Sequence, residues 1–112
     1  MIVDDHRSFR DAARRVLERA GFEIVGEAAD GESALETIPG LRPDVLLLDV
    51  QLPGLSGFEV AARLTEGGDA PLIVLTSSRE AAHFGPLVKQ SGAQGFVHKP
   101  DLSGPAICAA LQ

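Results

Sequence analysis

The sequence lacks several features that would indicate a particular class of protein. Its single cysteine, Cys108, excludes an internal disulfide and is typical of a reducing compartment. Lys and Arg form no cluster and the formal charge is -6, so we expect no direct nucleic-acid binding. No apolar run approaches the roughly 20 residues that span a bilayer, and the N-terminus has no signal-peptide pattern. We therefore expect a cytoplasmic domain with no membrane segment.

Short apolar segments alternate with helical patterns along the 112 residues. The predicted strands are residues 2–3, 22–28, 44–49, 71–76 and 95–98. The third and fourth are apolar on both faces, as buried parallel strands are. Five strands alternating with five helices predict one α/β domain over residues 1–112, with a parallel sheet covered on both sides. Only three residues precede Asp4, so the first strand is expected to be clipped or unusually short.

Helix starts are marked by residues that accept hydrogen bonds from the first turn. The capping-box pattern, a serine followed three residues later by a glutamate, occurs as Ser56 with Glu59 and as Ser77 with Glu80. The second pair predicts the start of the fourth helix. The second and fifth helices, over residues 30–38 and 103–112, are predicted to begin with the N-caps Asp30 and Ser103.

The fourth helical pattern is interrupted by the segment HFGPL at residues 83–87. Pro86 removes a backbone donor and clashes with the preceding turn, which costs about 3 kcal/mol in a regular helix. Gly85 lowers the helical preference further. We expect this helix to be bent, or divided with Pro86 opening a second short piece.

Polar residues stand at the ends of four predicted strands. Asp4 and Asp5 follow the first, Asp49 closes the third, Thr76 closes the fourth and Lys99 follows the fifth. In a flavodoxin-like sheet of order 2-1-3-4-5, ligands bind at this edge and strands 1 and 3 are neighbours. Clustered carboxylates raise one another's pKa values unless a positive group is present.

That positive group is predicted to be a divalent cation such as Mg²⁺, or the ammonium of Lys99. The arrangement suits a transferred phosphoryl group, with a carboxylate as nucleophile. The simpler interpretation is that Asp4 or Asp5 caps the first helix and that Lys99 is a solvated surface residue. His6 borders the edge, but we expect neither a metal ligand nor a phosphorylated histidine there. His83 and His98 are expected to be surface or packing residues.

The chain resembles the receiver domain of two-component response regulators, particularly receivers of LuxR/NarL-type transcription regulators that precede a helix-turn-helix domain. The resemblance covers essentially the whole sequence and implies a three-layer (βα)5 sandwich. It is carried by the following segments: IVDDH (2–6), GEAADGESAL (26–35), PDVLLLDVQLPGLSGFEV (43–60), PLIVLT (71–76), GAQGF (92–96) and KP (99–100).

The resemblance implies that Asp49 is the phosphoacceptor. Asp5 is implied as a direct ligand of Mg²⁺ or Mn²⁺, with Asp4 acting directly or through water. Asp49 itself and the backbone carbonyl of Gln51 would complete the protein ligands.

The remaining implied residues concern the phosphoryl group and the switch. Lys99 would pair with the phosphoryl group, and the Lys99–Pro100 bond would be cis. Thr76 would follow the phosphoryl oxygen and Phe96 would be the rotating aromatic residue. Counting from the strand selects Thr76 for the switch hydroxyl, whereas counting back from Lys99 by the family's usual spacing selects Ser77.

The implied partner is a sensor histidine kinase, with a homodimer through the face formed by helix 4, strand 5 and helix 5. The implied chemistry is transfer to Asp49 and hydrolysis from it, with no enzymatic activity on another substrate. Two alternatives stay open. One is a protein-interaction module that signals without phosphorylation, and the other is an enzyme or flavin carrier on the same fold. A flavodoxin would have a Ser/Thr/Gly-rich loop after strand 1, where this chain has Asp-Asp-His.

Overall fold

A five-stranded parallel sheet in the order β2-β1-β3-β4-β5 forms the centre of the structure, a computed structural model that describes all 112 residues. Helices cover both faces, so the predicted α/β fold and strand order are confirmed. None of the helices is long and apolar enough to cross a membrane. The strands are β1 (Ile2–Val3), β2 (Glu27–Ala28), β3 (Val45–Asp49), β4 (Leu72–Ser77) and β5 (Gly95–His98). The helices are α1 (Arg7–Arg19), α2 (Gly31–Leu41), α3 (Gly57–Glu66), α4 (Leu87–Gln90) and α5 (Gly104–Ala110).

Two hydrophobic clusters lie on opposite faces of the sheet because successive side chains of a strand alternate between faces. Leu46, Leu48, Ile73 and Leu75 belong to the cluster that includes residues of α2 and α3. The other cluster contains Leu47, Val74 and Val97 with residues of α1 and α5. We call these sides the α2–α3 face and the α1–α5 face. Burial of β3 and β4 on both sides explains their continuous apolar runs.

The second strand is much shorter than predicted: β2 covers Glu27–Ala28 instead of residues 22–28. A strand needs a hydrogen-bonding neighbour, and β1 is only two residues long, as expected. Immediately before β2, the Gly26 carbonyl accepts a hydrogen bond from the Ile2 N–H of β1 at 3.1 Å. Phe22 and Ile24 instead pack on the α1–α5 face without strand pairing, whereas Val25 is exposed.

Most predicted helix starts are confirmed. Asp30 accepts from the Ser33 N–H at 2.7 Å, and Ser103 accepts from the Ala106 N–H at 3.1 Å. Ser56 and Glu59 form the capping box. Helix α2 continues to Leu41, beyond its predicted end at residue 38.

The capping box predicted at Ser77 and Glu80 is wrong. Ser77 is the last residue of β4, and its hydroxyl accepts from the Arg79 N–H two residues later at 3.0 Å. Because the Ser77 hydroxyl is occupied by this local hydrogen bond, it does not cap a helix. Glu80 precedes the next helical segment without capping it through its side chain.

The fourth helix is divided, as the sequence predicted. A 3₁₀-helix covers Ala81–Phe84, the chain turns at Gly85 with a φ of 59°, and α4 begins after Pro86. Positive φ is accessible to glycine at little cost, and proline needs no N–H donor at a helix start. The two pieces therefore meet at the residue pair that breaks the regular helix.

Candidate functional site

Asp49 is the point at which the buried strand β3 ends. It is only 3% exposed. The Gln51 N–H donates to Asp49 Oδ1 at 3.2 Å. The chain then returns toward β3, because the Gly57 N–H donates to the Val50 carbonyl at 2.8 Å. A Cβ at position 57 would lie 2.2 Å from the Asp49 carbonyl oxygen, so this close approach requires glycine.

Asp4 and Asp5 follow β1, which is the hydrogen-bonded neighbour of β3. Asp4 is completely buried and Asp5 is exposed. Asp4 Oδ1 accepts from the His6 N–H at 2.8 Å, and the Asp4 carbonyl accepts from Arg10 at 2.6 Å. These contacts orient the carboxylate at the end of its strand. We call Asp4, Asp5 and Asp49 the acidic pocket.

Lys99 links the two buried acids. Its Nζ lies 2.6 Å from Asp4 Oδ2 and 3.4 Å from Asp49 Oδ2. The ammonium also lies 4.4 Å from the centre of the Phe9 ring, within the range of a cation–π interaction. Nothing in the sequence spacing of Phe9 indicated this contact with Lys99. The solvated-surface interpretation of Lys99 is excluded by these positions.

Charge in the pocket is not balanced by Lys99 alone. The pKa of Asp49 is raised to about 6, chiefly because burial disfavours its charge. Lys99 and the Gln51 N–H oppose the shift, whereas the neighbouring Asp4 charge adds to it. The ionised form of Asp49 is therefore less strongly favoured than that of an ordinary aspartate. An added positive charge at this position would favour that form.

The pocket fits a divalent cation on its own geometry. Ligand atoms from Asp4, Asp5, His6 and Asp49 all lie within 4.8 Å of one another. Asp4 Oδ2 is buried and makes no contact with hydrogen-bond geometry, despite the short ion pair with Lys99. No hydrogen bond is donated to the carbonyl of Gln51. Carboxylate oxygens are ligands that Mg²⁺ prefers.

Thr76, and not Ser77, lies on the side of the sheet occupied by Asp49. Thr76 is paired with Asp49 across β3 and β4. Asp49 and Thr76 each come two positions after a residue whose side chain lies on the α1–α5 face. Because side chains alternate along a strand, Asp49 and Thr76 lie on this face and Ser77 lies on the α2–α3 face. The Thr76 hydroxyl is buried without a hydrogen-bond partner, whereas Ser77 accepts from Arg79.

Phe96 lies in β5 opposite Leu75 and packs on the α2–α3 face. Its ring is 6.0 Å from that of Phe84, and Phe84 in turn lies 5.4 Å from Phe58 in an edge-to-face arrangement. We call Phe58, Phe84 and Phe96 the aromatic cluster. Sequence reasoning singled out only Phe96, because three phenylalanines from distant segments have no common spacing.

The expected cis bond between Lys99 and Pro100 is wrong for this structure, which contains no cis peptide bond. Residues Lys99–Asp101 form a 3₁₀ turn closed by the Leu102 N–H, which donates to the Lys99 carbonyl at 3.1 Å. Proline fits this turn in the trans form because its fixed φ matches helical values and its nitrogen need not donate.

The chain belongs to the response regulator receiver domain family, whose sequence pattern it matches over residues 1–112. It is 42% identical over 111 residues to a protein of Pseudomonas aeruginosa named as a transcriptional regulator, which covers 98% of this chain and 53% of that protein. It is 32% identical over 101 residues to the DNA-binding transcriptional activator EvgA of Escherichia coli K12, covering 90% of this chain and 50% of EvgA. The chain therefore spans about half the length of these curated relatives.

The fold is also that of solved receiver structures. A two-component response regulator of the LuxR family from Aurantimonas sp. SI85-9A1 superposes with a TM-score of 0.88 at 33% identity. The match covers 99% of this chain and 82% of that chain. This similarity agrees with the observed sheet order and with the LuxR/NarL resemblance seen in the sequence.

Proposed function

We propose that this receiver accepts a phosphoryl group on Asp49 from a sensor histidine kinase, with Mg²⁺ or Mn²⁺ bound in the acidic pocket. The observation that carries the proposal is the position of Lys99, whose ammonium lies between the buried carboxylates of Asp4 and Asp49. A nucleophilic carboxylate, a fixed ammonium and an unpartnered hydroxyl at adjacent strand ends suit phosphoryl transfer.

The proposed metal ligands are the carboxylates of Asp5, Asp4 and Asp49 and the carbonyl of Gln51. When bound, the cation neutralises negative charge on the phosphoryl oxygens and on the acids that hold it. The raised pKa of Asp49 supports this assignment, because a cation beside the carboxylate would favour the ionised, nucleophilic form.

In the proposed transfer, one Asp49 carboxylate oxygen forms a bond to phosphorus. The bond from phosphorus to the donor's imidazole nitrogen breaks, and its electron pair stays with that nitrogen. Lys99 pairs with a phosphoryl oxygen. Its Nζ thereby leaves its position between two carboxylates and binds a group that carries more negative charge. The Thr76 hydroxyl donates to another phosphoryl oxygen and thereby gains the partner that it lacks here.

The proposed response is a shift between two conformations of the output side. Movement of Thr76 toward the phosphoryl group would change the packing behind β4, and Phe96 would move with the aromatic cluster. A shift of this kind requires that phosphorylation stabilise one state more than the other. We propose that the surface formed by α4, β5 and α5 then forms a homodimer.

The curated relatives are longer proteins named as transcription regulators, so we propose that this receiver controls transcription in the cytoplasm through a DNA-binding partner domain. This chain would not contact DNA itself, since it has a formal charge of -6 and no basic cluster. We propose no reaction on a separate substrate beyond transfer to Asp49 and its hydrolysis.

Phosphoryl incorporation tests the proposal. Incubation with Mg²⁺ and a small phosphodonor such as acetyl phosphate should add one phosphoryl group, measured by intact-protein mass spectrometry. Asp49→Asn should abolish the addition because it removes the nucleophile. Asp44→Asn is the matched control, since Asp44 is exposed and precedes the opposite end of β3.

Addition that persists in Asp49→Asn would overturn the assignment of the phosphoacceptor. If the unchanged protein neither binds Mg²⁺ nor accepts a phosphoryl group, the phosphorylation-independent interaction module becomes the better description.

A further inference from the structure

The two carboxylates beside Lys99 account for only part of the surroundings of its ammonium. The side chain is 16% exposed, and Nζ makes a single hydrogen bond, a long one of 3.4 Å to Asp49 Oδ2. The closer oxygen, Asp4 Oδ2 at 2.6 Å, lies outside hydrogen-bond geometry. An ammonium has three N–H donors, so the acids leave part of its bonding capacity unused. The third contact of Nζ is with the Phe9 ring, whose centre is 4.4 Å away.

Helix α1 fixes the position of the Phe9 ring, which packs on the α1–α5 face. The next residue, Arg10, donates to the Asp4 carbonyl at 2.6 Å and to Glu27 Oε1 at 3.0 Å. These bonds connect the first turn of the helix to the end of β1 and to β2. The ring is therefore held beside Lys99 by contacts that do not involve the lysine itself.

The contact between Phe9 and Lys99 is electrostatic as well as apolar. A cation placed over an aromatic ring is attracted by the negative face of its π system. The attraction is stronger where water is largely excluded, as it is around this ammonium. An aliphatic side chain at position 9 would fill the same space without attracting the charge. The contact therefore depends on an aromatic residue in the first turn of α1.

We propose that Phe9 is a positioning residue for phosphoryl transfer, and that its ring holds the Lys99 ammonium where it meets a phosphoryl oxygen. This role rests on the proposed function, because the ring acts on the reaction only through Lys99. A lysine side chain has a flexible four-carbon stem, and ordering it during the transfer would cost free energy. The ring of Phe9 orders the ammonium beforehand, while the acidic pocket supplies the nucleophile and the metal ligands.

The rate of phosphoryl incorporation tests the role of the ring. Phe9→Leu keeps a large apolar side chain but removes the π system. With acetyl phosphate and saturating Mg²⁺, its initial rate should fall about three- to tenfold, as expected for loss of a largely desolvated cation–π contact. Phe9→Tyr retains an aromatic face and should stay within about twofold of the unchanged protein. Phe22→Leu is the matched control, because Phe22 packs against the same hydrophobic cluster without contacting Lys99, and it should leave the rate unchanged.

A fluorinated ring separates the electrostatic contribution of Phe9 from its packing. Phenylalanine with fluorine on three ring carbons has nearly the shape of phenylalanine, but the fluorines withdraw electron density from the ring face. Placed at position 9, it should lower the rate toward that of Phe9→Leu without lowering the free energy of unfolding. Should Phe9→Leu fold poorly, this variant carries the test by itself. NMR gives a readout without a phosphodonor, because the ring current of Phe9 should shift the Lys99 ε-methylene signals upfield and Phe9→Leu should abolish the shift.

An unchanged rate in Phe9→Leu, with normal incorporation in the unchanged protein, would overturn the inference. A loss in Phe9→Leu that the fluorinated ring does not reproduce would also overturn it, because the effect would then come from packing. Absence of the upfield shift in the unchanged protein would remove the contact itself. If the unchanged protein incorporates no phosphoryl group, the proposed function fails and the role of Phe9 fails with it. The two failures are distinguishable, because only the second abolishes incorporation in the unchanged protein.

Discussion

Glu27, the first residue of β2, forms ion pairs with two arginines of α1. Arg10 Nε lies 3.0 Å from one carboxylate oxygen, and Arg14 Nε lies 3.1 Å from the other. The hydrogen bond from Arg14 is the main reason that the pKa of Glu27 falls below its usual value, and Arg10 adds to the shift. Because β2 is so short, this contact is an additional connection between the edge strand and α1.

We expect Glu27→Gln to lower the free energy of unfolding at pH 7 by less than about 1 kcal/mol, as for partly exposed ion pairs. The folded-state pKa is depressed, so the contribution is present above the unfolded pKa and is lost as pH falls through the folded value. Urea unfolding at pH 7 and at pH 3 should show a larger difference at the higher pH.

Glu23→Gln serves as the control for this measurement, since Glu23 is exposed and makes no ion pair. It should leave stability unchanged at both pH values. If Glu27→Gln lowers the free energy of unfolding equally at both pH values, the stabilisation by Glu27 comes from side-chain shape and not from its charge.

At the scale of the element, the divided fourth helix is the most distinctive part of the chain. The Gly85–Pro86 pair was sufficient to predict the break, because it acts through local backbone restrictions. The contacts that attach the 3₁₀-helix to the rest of the molecule could not be predicted from local sequence. Phe84 packs against Phe58 of α3 and Phe96 of β5, so the 3₁₀-helix is attached to the sheet by one aromatic side chain.

Phe84→Ala should therefore lower the free energy of unfolding by roughly 2 kcal/mol, less than a fully buried phenylalanine because the ring is only half-buried. Chemical denaturation would measure the change. Leu87→Ala in the neighbouring α4 is the matched control. Leu87 is 46% exposed, so its truncation should cost no more than about 0.5 kcal/mol. Equal losses in the two variants would contradict a specific role for the aromatic cluster.

At the scale of the whole molecule, the proposed acceptor site and the proposed output surface lie on connected parts of one sheet. Strand β5 is an edge strand, and the segment before it exposes Leu87. Exposed strand edges and apolar residues favour association with another chain. These features support the proposed homodimer through α4, β5 and α5.

Beryllofluoride, a phosphate mimic, should increase the dimer fraction in the presence of Mg²⁺, as measured by light scattering during size-exclusion chromatography. Asp49→Asn should abolish the increase, because the mimic would have no carboxylate to bind. Leu87→Glu should reduce it several-fold while leaving the acidic pocket intact. An unchanged mass with the mimic demonstrably bound by fluorine NMR would contradict phosphorylation-linked dimerisation.

Much of the fold was predictable because the relevant information is local. The continuous apolar runs of β3 and β4 indicated burial on both faces, and Asp30, Ser56 and Ser103 marked helix starts through short-range hydrogen bonds. The placement of Asp4 and Asp49 at one edge followed from parallel topology. Ser77 failed as a cap because its strand continued one residue further than its local pattern suggested.

The sequence by itself determined the α/β class, the helix break at Pro86 and the set of polar residues at the strand ends, since each depends on residue type and short spacing. Only the tertiary structure decided which atoms meet. It placed Thr76, and not Ser77, on the Asp49 side of the sheet, and it set the position of Lys99 between two acids and the contact of His6 with Asp5. The physical reason is that side-chain alternation, strand register and burial depend on neighbours distant in the chain, which no local pattern contains.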